Sequence, residues 1–304
     1  MKFVSALLVF VACWLAPTRV DARLFIACTT PDIATLTLAV TGDRAEVVRL
    51  AKPTEDPHFV DAKPSFIAKL NKADLLIEGG AELESGWLGP LLESARNPRI
   101  SAGAKGHISC ATGLQLLDVP TTLDRSQGDV HSKGNPHFMV DPVMGLKVAE
   151  TIAAAASQAD PSNAAFFAAR VAEFRKRLES KLEEWTAALA PYKGHHIVAY
   201  HNTWPYFAAR FGLRSELFLE PKPGIPPTPT HLAGVVARMK EVKAKVIAVE
   251  PFQSRKTAER VGSQANASVV DVSQYPGGLK GVEADYIASI HALVTGFVAA
   301  LGKP

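Results

Sequence analysis

The stretch DPSNAAFFAARVAEFRKRLESKLEEWTAALAP, residues 160–191, decides how the chain is organised. Its apolar positions Val171, Phe174, Leu178, Leu182, Trp185 and Leu189 recur every three or four residues, so they form one stripe of a helix with charges on its other faces. Asp160 and Pro161 suit a helix start, with Asp as cap and Pro in the first turn, and Pro191 suits its end. At helical rise the segment runs roughly 45 Å, enough to span a whole domain. Such a helix is a natural rigid connector between two lobes.

The patterns on either side agree. Before it, the short apolar runs 24–28, 45–50, 74–80 and 107–110 alternate with amphipathic stretches. After it the alternation resumes, with strand patterns at 196–201, 246–251 and 268–273 and a closing helix within "VEADYIASIHALVTGFVAAL". Strands alternating with helices mean parallel βα units. The expected fold class is therefore α/β: two parallel-sheet lobes joined by one long rigid helix, with a ligand cleft between the lobes. The boundaries are 23–158 for the first lobe, 159–191 for the connecting helix and 192–304 for the second lobe. The polar segment 119–136, carrying Asp124, Asp129 and His131, breaks the rhythm and reads as a surface loop long enough to be functional.

Residues 1–22 read as a secretory signal peptide. Lys2 precedes an apolar run from Phe3 to Leu15, and "VDA" at 20–22 supplies small residues for cleavage after Ala22. The run is too short for a stable membrane span, and Cys13 lies inside it rather than at a lipid-attachment position. Removing Lys2, Arg19 and Asp21 with the peptide takes the formal charge from +3 to +2, far too small to argue for nucleic acid. Cys28 and Cys110 then remain, as a disulfide permitted by an oxidising compartment or as two buried thiols.

Two tripeptides repeat: Pro57-His58-Phe59 in "EDPHFVDAKP" and Pro136-His137-Phe138 in "GNPHFMVDP". In parallel α/β sheets ligands bind at the carboxyl ends of strands. His58 and His137 follow strands of the first lobe, His201 ends "IVAYH" in the second, and Asp271 lies late in "SVVDV". Three imidazoles and one carboxylate suit a divalent transition metal, Zn²⁺ in tetrahedral geometry foremost. Proline before His58 and His137 stiffens the approach of each. Glu250, ending "VIAVE", is placed equally well for the fourth position, and water is a third choice for it.

The segments "TTPDIATL", "DPHFVDAKPSFIAKLNKADLLIEGGAELESGWL", "NPHFMVDP", "AYHNTWPYFAARFGL" and "VIAVEPFQSRKTAERVGSQANASVVDV" carry a resemblance. Over nearly all of the mature chain they resemble the solute-binding proteins of zinc and manganese ABC importers, the ZnuA/TroA/AztC-like family. That resemblance implies His58, His137 and His201 at the three imidazole positions and Asp271 at the late carboxylate. Manganese receptors of the family tend to carry Glu where His201 stands, so the chain looks zinc-like. Zinc receptors often carry a longer loop dense in His, whereas here residues 119–136 hold only His131 with Asp124 and Asp129. Glu84 and Trp87 also match a family motif and read as structural, while Trp204, Tyr206 and Phe207 read as packing behind the site.

The expected function is a periplasmic receptor, not an enzyme, that captures Zn²⁺ as its transported ligand and delivers it to an ABC permease. The expected protein is monomeric, with the loop 119–136 a candidate contact for a periplasmic metallochaperone. The competing readings are a zinc hydrolase with Glu250 or Glu220 as general base, and a manganese-binding receptor or adhesin.

Overall fold

The computed structural model describes residues 23–122 and 131–303. The signal peptide, Cys13, Asp124 and Asp129 lie outside the described residues. The first sheet holds β1 (Leu24–Cys28), β2 (Ala45–Arg49), β3 (Leu75–Glu78) and β4 (His107–Ser109) in the order β2-β1-β3-β4, all parallel. The second holds β5 (His196–Ala199), β6 (Arg214–Phe218), β7 (Val246–Val249) and β8 (Ser268–Asp271) in the order β6-β5-β7-β8, again parallel. The two sheets thus share one topology, and the α/β two-lobe fold expected from the alternation is the one found.

The central strands are short apolar runs, as doubly covered parallel strands must be; all four residues of β7, Val246 to Val249, are buried. The strand β6 has no counterpart among the sequence expectations. Its residues RSELF are half polar, and it lies at a sheet edge where only one neighbour bonds it. An edge strand needs no continuous apolar run, so its pattern resembles a loop.

Proline opens five of the helices at the first turn, where its missing N–H costs nothing: α1 (Pro31–Thr41), α2 (Pro64–Lys72), α4 (Pro142–Ala159), α6 (Pro205–Phe211) and α7 (Pro229–Glu241). The helix α3 (Leu88–Ala95) starts late enough that Pro90 also falls in its first turn. The helices α8 (Arg255–Ala265) and α9 (Tyr286–Leu301) begin with Ser254 and Asp285 side chains accepting backbone N–H groups.

The long helix α5 spans Ala164–Leu189. It starts three residues later than the pattern suggests, because Pro161–Asn163 form a 3-10 turn in which the Asp160 carboxylate takes the Ser162 hydroxyl and the Asn163 amide. Its stripe is buried as expected, with Phe167 added and Leu182 partly exposed. That stripe enters one continuous apolar core with α1 and α4 of the first half and α6 and α9 of the second. Smaller clusters cover the outer faces, one under α2 and α3 and one under α7 and α8. A core shared by both halves resists large hinge motion, because opening it would expose apolar surface worth about 25 cal/mol per Å². Cys28 and Cys110 are free and buried, and burial pushes the Cys28 thiol up to about 12. Among the described residues no helix is long and apolar enough to cross a membrane.

Candidate metal centre

The site forms where the carboxyl ends of the two sheets face each other. His58 stands in the turn after β2, His137 just before the 3-10 turn Phe138–Val140, and His201 two residues past β5. Their ring centroids lie 5.1–5.2 Å apart in all three pairs. One nitrogen from each ring falls within 4.8 Å of the others. His137 is 3% exposed, and the side chains of His58 and His201 are 12% and 15% exposed, so this triangle is shielded from bulk water.

Each imidazole is oriented from behind. His58 Nδ1 donates to Asp56 Oδ1 at 2.8 Å, His137 Nδ1 to Gln274 Oε1 at 3.1 Å, and His201 Nδ1 to the Glu220 carboxylate. An oxygen acceptor at Nδ1 fixes the tautomer, so the Nε2 lone pairs point inward. His137 Nε2 and His201 Nε2 are 3.2 Å apart. Two lone pairs at that distance repel unless a cation stands between them. A tetrahedral zinc with Zn–N of about 2.0–2.1 Å sets its ligand nitrogens about 3.3–3.4 Å apart, which matches.

The repeated tripeptides now have a physical account. Asp56 and Asn135 each stand two residues before the histidine, and each side-chain Oδ1 accepts the histidine's backbone N–H, at 3.0 and 2.9 Å. Asx side chains that bond two residues onward make a compact turn, and the intervening proline holds it. The resemblance ends at the next residue: Phe138 is fully buried, while Phe59 is 63% exposed.

Further bonds pin both turns. The Trp87 indole N–H donates to the Pro57 carbonyl at 2.9 Å. The Tyr206 hydroxyl donates to the Asn135 carbonyl at 2.7 Å and accepts the Leu117 N–H at 2.8 Å. Asn135 Nδ2 donates to the Asn202 carbonyl at 2.9 Å. Arg210 grips both oxygens of Asp141, the α4 cap, at 2.8 Å each. The segment carrying His137 is thereby sewn to the second half of the chain. Trp87 and Tyr206 do more than fill space, a role only their polar tips could have signalled.

The electrostatics favour neutral, metal-ready rings at two positions. Burial, reinforced by neighbouring His201 and His58, drives His137 well below the usual histidine range. Burial and the same neighbours push His131 down to about 4. Burial also opposes charge on His201, yet the bonded Glu220 carboxylate raises it overall. Burial pushes Glu250 up to about 7, against bonds from the Gln274 N–H and the Thr203 hydroxyl.

Asp271 is not brought to this cluster. Its side chain is 62% exposed and pairs with Arg255 at the start of α8. Along β8, side chains alternate between faces, so Asp271 shares the α8 side with Val269. The residue that does reach His137 from this part of the chain is Gln274, three positions on. Glu220 likewise holds His201 rather than standing free. Of the remaining histidines, His231 Nε2 lies 3.1 Å from the Phe218 carbonyl and His291 Nδ1 accepts the Trp185 indole N–H at 3.2 Å. His107 lies 3.2 Å from Glu78 and, like them, stands outside the three-histidine group.

The family model for the zinc-uptake complex component A, periplasmic (ZnuA), matches residues 26–300. The chain belongs to this family. Among curated relatives, the manganese ABC transporter substrate-binding lipoprotein PsaA of Streptococcus mitis is 23% identical over 87% of this chain and 84% of its own length. The high-affinity zinc uptake system protein ZnuA of Paracoccus denitrificans is 27% identical over 60% of this chain and 62% of its own. The iron ABC transporter substrate-binding lipoprotein MtsA of Streptococcus pyogenes is 22% identical over 88% and 85%. A crystal structure of ZnuA superposes with a TM-score of 0.76 at 22% identity, covering 92% of this chain and 99% of that one. A zinc-bound ZnuA deletion mutant gives 0.77 at 23% identity over 93% and 100%. This ZnuA-family chain is thus a metal-binding substrate-binding protein of the ABC-transporter type. The relatives are named for zinc, manganese and iron, so the family alone does not choose the metal.

Proposed function

We propose that this protein is the zinc receptor of an ABC importer, capturing Zn²⁺ with His58, His137 and His201 and delivering it to the membrane permease. The single observation that carries the reading is the convergence of three Nδ1-anchored imidazoles on one shielded point. All three donors are nitrogen. Manganese favours carboxylate and carbonyl oxygen, whereas imidazole suits zinc, copper and nickel. The carboxylates nearby serve the rings from behind: Asp56 and Glu220 accept Nδ1 protons, and Glu250 takes the Gln274 N–H and the Thr203 hydroxyl. Glu220 thus orients His201 from behind, and both Glu250 oxygens hold protein donors, an arrangement that supports binding and release over catalysis. The apolar run at the N-terminus supports export to the periplasm before capture.

The test is elemental analysis of the exported protein purified without added metal, followed by competition with a zinc chelator. The reading expects about one zinc per chain, removable by chelator without unfolding, and no tight binding in His137→Ala. Protein that emerges with manganese or iron, or His137→Ala that binds zinc normally, would overturn it.

A further inference from the structure

The rings of His137 and His201 are held by segments that are not neighbours in the second sheet. His137 Nδ1 is bonded to Gln274, three residues past β8, while His201 stands two residues past β5. In the order β6-β5-β7-β8 the strand β7 lies between them. Glu250 is the residue directly after β7, so it sits between the two segments that must bring their rings to one ion.

Its carboxylate reaches both ways. Oε1 accepts the Gln274 backbone N–H at 3.2 Å, and Oε2 accepts the Thr203 hydroxyl at 3.1 Å. Thr203 donates its own backbone N–H to the His201 carbonyl at 2.8 Å. Glu250 is 2% exposed and Thr203 1%, so water cannot take over these bonds. Gln253 fixes the glutamate in turn: its Oε1 accepts the Glu250 N–H at 2.9 Å, and its Nε2 donates to Glu250 Oε2 at 3.3 Å. Three donors thus converge on two oxygens, an arrangement that suits a carboxylate.

The first half of the chain offers a comparison. Glu84 is also buried and takes the Thr29 hydroxyl past β1, at 2.6 Å, and the N–H groups of Gly79 and Gly80 past β3, at 2.8 and 3.1 Å. Among the described residues none of those three holds an imidazole, and His58 is backed by Asp56, only two positions away. Glu84 therefore closes a turn, whereas Glu250 joins two parts of the metal centre. We infer that Glu250 is a positioning residue: by tying the Gln274 segment to the Thr203 segment it sets the separation of the His137 and His201 nitrogens, and so tunes zinc affinity without being a ligand. This rests on the zinc-receptor reading above.

The test uses the full mature chain with zinc alone. Thr203→Val and Gln274→Ala leave Glu250 in place and each removes one side-chain arm. Gln274→Ala should weaken zinc binding about 10–100-fold in chelator competition, as the direct partner of a ligand, and Thr203→Val should weaken it less. The double variant should fall short of the product of the two losses by at least about twofold, as expected within one hydrogen-bonded network. Losses that simply multiply overturn the inference. Nuclear magnetic resonance of the zinc-loaded protein separates positioning from general loosening. In Thr203→Val the signal of the His137 Nδ1 proton should shift, although Thr203 bonds to neither His137 nor Gln274, while that of His58 should stay. Glu250→Gln, which keeps an acceptor oxygen for only one arm, should move the His137 and His201 signals and spare His58. An unmoved His137 signal in either variant, or a His58 signal that moves as far, overturns the inference even if affinity falls. Wild-type protein that binds zinc but whose two arms act independently leaves the receptor reading standing. Wild-type protein that binds no zinc defeats both.

Discussion

Tyr206→Phe isolates the cost of loosening the segment that carries His137. The ring stays, so its edge contact with Phe138, at 6.4 Å between centroids, is kept. What is lost is one hydroxyl that donates to the Asn135 carbonyl and accepts the Leu117 N–H. Asn135 is buried, so its carbonyl loses a partner that water cannot replace, at about 1–3 kcal/mol. Leu117 is only partly buried, and solvent can take over its N–H, leaving about 0.5 kcal/mol. The sum is about 2 kcal/mol. Urea unfolding of the metal-free protein should show a lower midpoint with an unchanged slope, the signature of a stability change alone. If all of that energy serves the geometry of the zinc-bound state, affinity falls by at most about thirtyfold. The fall should be smaller, because His137 keeps its bonds to Asn135 Oδ1 and Gln274. A midpoint unchanged in Tyr206→Phe would refute the claim that this hydroxyl holds the segment. An affinity loss beyond thirtyfold would mean that Tyr206 acts on the metal by another route.

Three further outcomes are expected. Glu220→Ala removes the acceptor that fixes the His201 tautomer and should weaken zinc binding about 10–100-fold, read by chelator competition. Asp271→Ala should leave zinc affinity unchanged, because the carboxylate is exposed and paired with Arg255; a strong loss would return it to the shell. Asp32 is buried and its carboxyl is pushed up to about 6 from 3.8, chiefly by burial. The native state therefore holds its proton more tightly than the unfolded chain, so this residue's contribution to stability falls as pH rises from about 4 to about 6. Asp32→Asn should flatten that fall and be more stable than wild type at pH 7 by up to about 3 kcal/mol, read from urea midpoints at pH 4 and pH 7; an unchanged difference between the two would refute it.

Local chemistry made much of this protein legible from its residues in order. The apolar stripe on α5, the short buried strands and the first-turn prolines each act within a few positions of chain, where periodicity and backbone restriction are visible. The paired Asp-Pro-His and Asn-Pro-His turns belong with them, since each Asx side chain bonds a backbone N–H only two residues away. The edge strand β6 was not legible, because a strand with one neighbour carries no distinctive apolar run. Nor was the choice among carboxylates. Asp271, Glu220 and Glu250 all follow or end strands, and nothing in their spacing tells which face each side chain takes. Side-chain alternation along β8 and the position of Arg255 turn Asp271 outward, while the approach of the two sheets sets Glu220 behind His201 and Gln274 behind His137. Which histidines stand near one another is likewise a tertiary fact, since His58, His137 and His201 are separated by more chain than any local rule can reach, and only the packing of both halves on one core closes that distance.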